Sequence, residues 1–228
     1  MTLPMPSQSS PQSSQPVKKE RSLLPAQIKP AVFTVGGLAA VMVIVQIINS
    51  VMTAPGLIQY GIESRTVDGL LGVLFAPLIH VSWGHLLANL IPFLVFGLLL
   101  FVGGVRQFVA VTILVWLVSG VGVWLVGPSH TITVGASGLV FGWLAYLVAR
   151  GVFTRNWGQI AVGLVLLVLW GGLFWTGIVS TAWQDLTGDT AVSWQGHLFG
   201  AIGGVLAAFL VARADKPRRD KPQVVAGP

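Results

Sequence analysis

The sequence predicts an all-α membrane protein, a bundle of six transmembrane helices with a long outer loop between the first helix and the second. Composition is the first reason: of 228 residues, 54% are hydrophobic and 9% are charged. A soluble domain carries roughly 25% charged residues, so this chain cannot cover a water-facing surface with charge. The second reason is a series of six apolar runs that reach or approach the ~20 residues of a membrane-spanning helix.

The six predicted spans divide the chain into three regions. The spans are residues 31–51, 84–102, 108–126, 134–149, 160–179 and 194–211. We therefore predict a six-helix transmembrane domain over 31–212, preceded by a disordered cytoplasmic tail at 1–30 and followed by a basic cytoplasmic tail at 213–228. The tail at 1–30 is rich in Ser, Gln and Pro, a composition that cannot bury a core. The fourth span is short, which suggests that it starts below the membrane surface and inside protein.

The connection between the first and second spans, residues 53–80, is long and ends in an apolar stretch. Gly and Pro interrupt that stretch, so we expect a re-entrant or interfacial segment and not a seventh span.

The positive charges predict the orientation in the membrane. The formal net charge is +6, and Lys and Arg concentrate in the two tails and in the connections after spans two and four. Because Lys and Arg accumulate on the cytoplasmic side, both termini are predicted to be cytoplasmic. The basic balance thus indicates a lipid bilayer as partner and not nucleic acid. We expect a multi-pass protein of a bacterial plasma membrane.

Several chemistries are excluded by residue type. The chain has no cysteine, which excludes disulfides, thiolate metal sites and a Cys nucleophile. All seven acidic residues fall outside the predicted spans, so a membrane aspartyl protease lacks its paired carboxylates. No HExxH pattern is present for a zinc protease. We expect no metal and no cofactor, and any Ser–His pair would be a dyad without a third carboxylate.

Four polar side chains lie within the predicted spans, all near outer ends. His85 and Asn89, at i and i+4, share one face of the second helix. Ser137 opens the fourth helix and His197 the sixth. Each lies about 5–9 Å inside its helix at 1.5 Å per residue. Three helices therefore bring polar groups to one depth, which is the pattern expected of a site.

Each of these features also has a structural interpretation. The tetrapeptide around Ser137 occurs often by chance in a Gly-rich chain, and its small residues suit close helix packing. His85 and Asn89 could hydrogen-bond across helices. His197 favours function more strongly, because an ionisable residue in a span is costly.

Small residues predict how the fourth and sixth helices meet. Gly196, Gly200 and Gly204 leave one face of the sixth helix almost without side chains, and a helix carrying Gly135 and Gly138 could approach it closely. Phe141, one turn after Ser137, is either a core aromatic or a ring packed on an imidazole. For His80, near the interface, a structural hydrogen bond is favoured.

These residues in this order resemble the rhomboid family of intramembrane serine proteases. The matching segments are HVSWGHLLAN from His80 to Asn89, GASG from Gly135 to Gly138, and GHLFGAIGG from Gly196 to Gly204. The resemblance covers about residues 70 to 213. It implies a rhomboid-type bundle in which Ser137 and His197 form the catalytic dyad. It also implies an oxyanion site from His85, Asn89 and the serine N–H.

The resemblance assigns supporting positions as well. It places Phe141 on the catalytic histidine and Gly135 before the nucleophile, with Gly138, Gly200 and His80 as further supporting residues. The chain departs from many family members by lacking a Trp–Arg pair between Thr53 and His80, which puts the anchoring of the first outer loop in question.

The sequence therefore favours a serine endopeptidase that cleaves transmembrane segments of other membrane proteins. Two other functions stay open: a catalytically silent rhomboid-like protein that binds membrane spans, and a proton-coupled transporter that uses His85 and His197. A transporter suits the spans poorly because they hold no carboxylate. The sequence does not indicate the substrate or the oligomeric state.

Overall fold

The structure, a computed structural model, describes residues 28–187 and 193–215. Nine α-helices follow one another along these ranges: α1 Ile28–Val51, α2 Val67–Phe75, α3 Trp83–Phe101, α4 Val105–Val126, α5 Ser137–Thr154, α6 Trp157–Trp170, α7 Gly172–Phe174, α8 Thr181–Thr187 and α9 Trp194–Ala214. Two short 3-10 helices, Gly56–Tyr60 and Ala76–Leu78, lie in the connection between α1 and α3. A π-helical stretch, Trp175–Ser180, joins α7 to α8. Strands β1, Ile62–Glu63, and β2, Ile132–Thr133, pair antiparallel. Almost the whole predicted tail at 1–30 lies outside the described residues, as does most of the tail at 213–228.

The chain is an integral multi-pass membrane protein, as the sequence predicts. Within the described ranges, α1, α3, α4, α5 and α9 are each long and apolar enough to cross a membrane. A sixth span results if the pair Trp157–Trp170 and Gly172–Leu186 counts as one. That pair is bent by 56°, which the sequence analysis did not predict. Leu167 provides the carbonyl that accepts the Gly171 N–H at the break.

The bundle of membrane-spanning helices is organised around α5. Of the five unbroken spans, α5 has the largest share of buried residues. Trp143 at its centre is fully buried and packs against Phe93 of α3 and Phe108 of α4. Large apolar side chains such as Phe33 and Val168 are exposed on the outside of the bundle, which is the surface expected to face lipid.

Close contact between α5 and α9 depends on two facing rows of glycine. A Cβ on Gly200 would strike the carbonyl oxygen of Gly138, and one on Gly204 would strike that of Gly142. This small-residue interface is the close approach that the glycines of α9 predicted. Its α5 half is Gly138 with Gly142, however, and not Gly135 with Gly138, because Gly135 precedes the helix.

The far end of the α5–α9 pair is joined by polar contacts. The Arg150 guanidinium donates to Tyr146 Oη at 2.8 Å and to Asp215 Oδ2 at 2.8 Å. Because Tyr146 and Arg150 lie on α5 and Asp215 follows α9, these bonds fix the register of the two helices at the end opposite Ser137.

The long connection between α1 and α3 contains α2, which is too short to span a bilayer. It is anchored to the carboxyl end of α4, even though the Trp–Arg pair of many rhomboids is missing. Arg65 donates to the carbonyl oxygens of Leu125 and Gly127, at 3.1 and 2.9 Å. The indole of Trp124, on α4, donates to the Thr66 carbonyl at 2.7 Å. An arginine of the loop and a tryptophan of α4 thus hold the loop on the bundle.

Candidate functional site

A cavity of about 710 Å³ opens among α3, α4, α5 and α9. His85, Ser137 and His197 all line it, as do Gly135 and Gly138. The cavity therefore brings together residues from the three helices that the sequence predicted to share one depth.

Ser137 is placed by the turn that precedes it. Strand β2 pairs with β1, and the Gly135 N–H donates to the Ala76 carbonyl at 2.8 Å. Gly135 has φ +121°, a backbone conformation that residues with a side chain rarely adopt. A Cβ there would lie 2.7 Å from Cε1 and 2.8 Å from Nε2 of His85. Glycine is thus needed both for the turn and for the approach of the His85 ring.

Ser137 is also the first residue of α5. The residue before the helix, Ala136, has a side chain that cannot cap it. The first N–H groups of a helix lack intrahelical partners and carry partial positive charge. The helix that begins at Ser137 therefore offers main-chain donors that an anionic oxygen could use.

His197 is held from two sides. Its ring stacks on Phe141 with ring centroids 4.1 Å apart and an interplanar angle of 1°. Its Nδ1 lies 2.5 Å from the Gly177 carbonyl oxygen. Because a carbonyl oxygen only accepts, Nδ1 must carry the proton, and the neutral imidazole then has its lone pair on Nε2. That nitrogen is the one that can accept a proton.

The contacts around Ser137 and His197 bring the helix ends that carry the two residues together at one cavity. Ser137 and Phe141 are four apart on α5 and share a helical face, and Phe141 lies on His197. A Cβ on Gly138 would be 3.3 Å from the Gly196 carbonyl oxygen, so the residues next to Ser137 and His197 also touch. Within the described residues, no hydrogen bond joins Ser137 to His197. Catalytic hydrogen bonds are often long in structures without substrate.

His80 accepts a hydrogen bond from the turn that precedes Ser137. It is fully buried, and its Nε2 accepts the Ala136 N–H at 3.4 Å. Its ring meets that of His85 edge to face, with centroids 5.0 Å apart. Burial, with a smaller contribution from His85, lowers the pKa of His80 from 6.5 to about 4. His80 is therefore neutral at physiological pH and acts as a hydrogen-bond acceptor, which is the structural role that the sequence favoured.

The two predicted oxyanion residues are placed differently. His85 lines the cavity, and its Nδ1 is a buried atom for which the described residues provide no hydrogen-bond partner. Asn89 is buried, and its Nδ2 donates to the His85 carbonyl at 2.9 Å. Among the residues described, Asn89 does not line the cavity. Its amide retains a second N–H, which is not used in the bond to the His85 carbonyl.

Sequence reasoning missed three residues at the site. Ser119 of α4 donates to the Gly196 carbonyl at 2.8 Å and contacts Gly138, which ties α4 to the α5–α9 interface. Gly142 continues the glycine row of α5, and its spacing of four from Gly138 could have revealed it. Gly177 contacts His197 through its main-chain carbonyl, and in a chain with 28 glycines its residue type alone does not single it out.

Comparison with known proteins identifies the family of this chain. Residues 68–214 match the sequence family described as the Rhomboid domain. An uncharacterized protein of Mycobacterium tuberculosis is 38% identical over 218 residues, which cover 91% of this chain and 88% of the relative. One from Mycobacterium leprae is 39% identical over 185 residues, covering 79% and 71%.

A plant relative is more distant. Rhomboid-like protein 11, chloroplastic, of Arabidopsis thaliana is 30% identical over 162 residues, covering 64% of this chain and 54% of the relative. Because the Rhomboid domain matches more than half of this chain, and because its helices form an apolar membrane bundle, this chain belongs to the rhomboid family.

Proposed function

We propose that this protein is an intramembrane serine endopeptidase that cleaves transmembrane segments of other membrane proteins. The observation that carries the proposal is the state of His197. Its Nδ1 is committed to the Gly177 carbonyl, so Nε2 is free to act as a base in the cavity that Ser137 lines. A serine hydroxyl beside an oriented neutral imidazole is the arrangement of nucleophilic catalysis.

The reaction proceeds in two steps. As Ser137 Oγ attacks the carbonyl carbon of the scissile peptide bond, His197 Nε2 accepts the hydroxyl proton. The imidazolium then gives this proton to the departing amine nitrogen, and the carbon–nitrogen bond breaks. Water then attacks the carbonyl carbon of the resulting ester while His197 Nε2 accepts a proton from it. The bond from this carbon to Ser137 Oγ breaks, the imidazolium returns its proton to Oγ, and the substrate fragment leaves with a new carboxyl end.

The anionic oxygen of the intermediate needs hydrogen-bond donors. The Ser137 N–H at the start of α5 supplies one donor, and His85 supplies a second from the wall of the cavity. Asn89 is assigned to this site by family resemblance, and its second amide N–H is the donor that it offers. Removing one such donor costs about 100- to 1000-fold in rate in other serine proteases.

Substrates follow from the location of the site. A transmembrane helix satisfies its own main-chain hydrogen bonds, so the segment to be cleaved must unwind to expose a carbonyl. We therefore expect substrates with helix-weakening or small residues near one end of a span. The charges support a site near the outer face of a bacterial plasma membrane, because Arg150 and Arg213 lie toward the opposite ends of α5 and α9.

Reconstitution with a transmembrane substrate tests the proposal. The protein in proteoliposomes should cleave a peptide whose span carries Gly or Pro near its outer end. Cleavage should vanish in Ser137→Ala and His197→Ala, and should persist in the controls Ser50→Ala on α1 and His130→Ala in an exposed loop. If the substrate co-purifies equally with wild type and Ser137→Ala and is never cut, the protein is a binder of membrane spans.

A further inference from the structure

We infer that the main-chain carbonyl of Gly177 is the positioning group for His197, taking the place that a carboxylate holds in a Ser–His–Asp triad. The inference rests on the proposed function and adds a residue that neither the sequence nor the family resemblance assigns. It identifies the element that fixes which ring nitrogen of His197 carries the proton.

The first part of the case is chemical. In a triad the third residue holds the imidazole in one tautomer through Nδ1–H. A neutral carbonyl oxygen does the same when it is the only acceptor that Nδ1 meets. Here the Gly177 oxygen is 2.5 Å from Nδ1. The described residues near that nitrogen offer no carboxylate partner: Asp185, on the cavity wall, accepts instead from the Trp194 indole at 2.9 Å.

The second part is steric. A Cβ on Gly177 would strike Cζ of Phe141 and would lie 3.1 Å from His197 Nδ1. Gly177 is therefore the residue type that lets the carbonyl reach the imidazole while Phe141 keeps its stacked position. The missing side chain of Gly177 thus leaves room both for the Phe141 ring and for the His197 imidazole.

The third part concerns how the carbonyl is held. The Thr181 hydroxyl donates to the same Gly177 oxygen at 2.6 Å, and Thr181 is buried. Gly177 lies in the π-helical stretch Trp175–Ser180, within the bent half of the sixth span. π-Helical turns are rare in proteins, and those that occur are often found at functional sites. The irregular turn and the threonine together fix the direction of the carbonyl.

The tautomer of His197 is the direct readout. Solid-state NMR of protein labelled with ¹⁵N-histidine and reconstituted in lipid reports which ring nitrogen is protonated, and the spectrum of His197→Gln identifies the signal among four histidines. We expect His197 to carry its proton on Nδ1 in the wild type. A wild-type His197 protonated on Nε2 would overturn the inference whether or not any variant folds.

A matched pair of glycine variants tests the consequence. Gly177→Ala should shift His197 to a mixture of tautomers and slow labelling by a fluorophosphonate about 10-fold or more, since the wrong tautomer costs up to ~10⁴ in a serine protease. Gly172→Ala lies in the same bent segment, where a Cβ meets no described atom within 4 Å, and it should leave both readouts unchanged. A Gly177→Ala protein with wild-type tautomer and labelling rate would contradict the inference. Absence of labelling in the wild type would instead contradict the proposed function.

Discussion

The ring of Phe141 lies flat on the imidazole of His197, with 4.1 Å between centroids and 1° between planes. The two residues belong to α5 and α9, and the glycine rows of those helices bring the backbones close enough for this stack. Phe141 therefore links the packing of the bundle to the orientation of the proposed base.

Replacing Phe141 should separate packing from orientation. Phe141→Leu removes the stacking partner and retains an apolar side chain, so we expect fluorophosphonate labelling to slow about 3- to 10-fold. Aromatic pairs contribute about 0.5–1.5 kcal/mol beyond their buried area, which corresponds to that range. Phe141→Tyr preserves the ring and should label at close to the wild-type rate. Equal rates for the leucine and wild-type proteins would show that the stack does not orient His197.

The α5–α9 glycine interface should be sensitive to a single methyl group. Gly200→Ala places a Cβ against the Gly138 carbonyl and should destabilise the fold by about 1–3 kcal/mol, the usual cost of overpacking. Gly37→Ala is the matched control, because a Cβ on this α1 glycine meets no described atom within 4 Å. Unfolding in mixed detergent micelles measures the stability of each variant. Equal stabilities for Gly200→Ala and Gly37→Ala would contradict the assigned interface.

Stability should fall as the solution is acidified, through His80. The pKa of His80 is lowered from 6.5 to about 4, so the unfolded chain binds more protons than the folded chain between these values. The contribution of His80 to the free energy of unfolding is complete above pH 6.5 and is lost as the pH falls toward 4. The loss is on the order of 3 kcal/mol at most.

The slope of stability against pH isolates this effect. His80→Gln retains a hydrogen-bond acceptor without a titrating ring, and its unfolding free energy should change less between pH 6.5 and 4 than that of the wild type. His130→Gln, in an exposed loop, should follow the wild-type curve. Parallel curves for His80→Gln and wild type would contradict the buried, neutral state of His80.

Arg65 should anchor the loop between α1 and α3. Arg65→Gln loses the bonds to the carbonyls of Leu125 and Gly127, so we expect a destabilisation of about 1–3 kcal/mol. Arg106→Gln, at the start of the same helix that Arg65 caps, is the control and should have a small effect. Limited proteolysis between α1 and α3 would report loosening of the loop, and equal resistance in both variants would contradict the anchor.

The five unbroken spans could be predicted from the sequence because apolar length alone decides them. The shared cavity of Ser137, His85 and His197 was predictable too, since charge asymmetry and helical rise place their helix ends at one depth. The bend near Gly171 was not predictable, because Gly is common in membrane spans and a bend depends on neighbouring helices.

Contacts made through main-chain atoms could not be predicted from the sequence either. Every residue type has a main-chain carbonyl, and Gly177 is one of 28 glycines, so the sequence does not single out its contact with His197. The anchoring of the loop by Arg65 was hidden for a similar reason. Its partners are the carbonyls that end α4, which any residue type could supply.

Site-resolved phosphonylation tests the central claim most directly. Protein in detergent is treated with a fluorophosphonate, digested and analysed by mass spectrometry. The account predicts a single adduct on Ser137 of the wild type, strongly reduced in His197→Ala and present in His130→Ala. An adduct on a different serine, or full modification of Ser137 in His197→Ala, would contradict it.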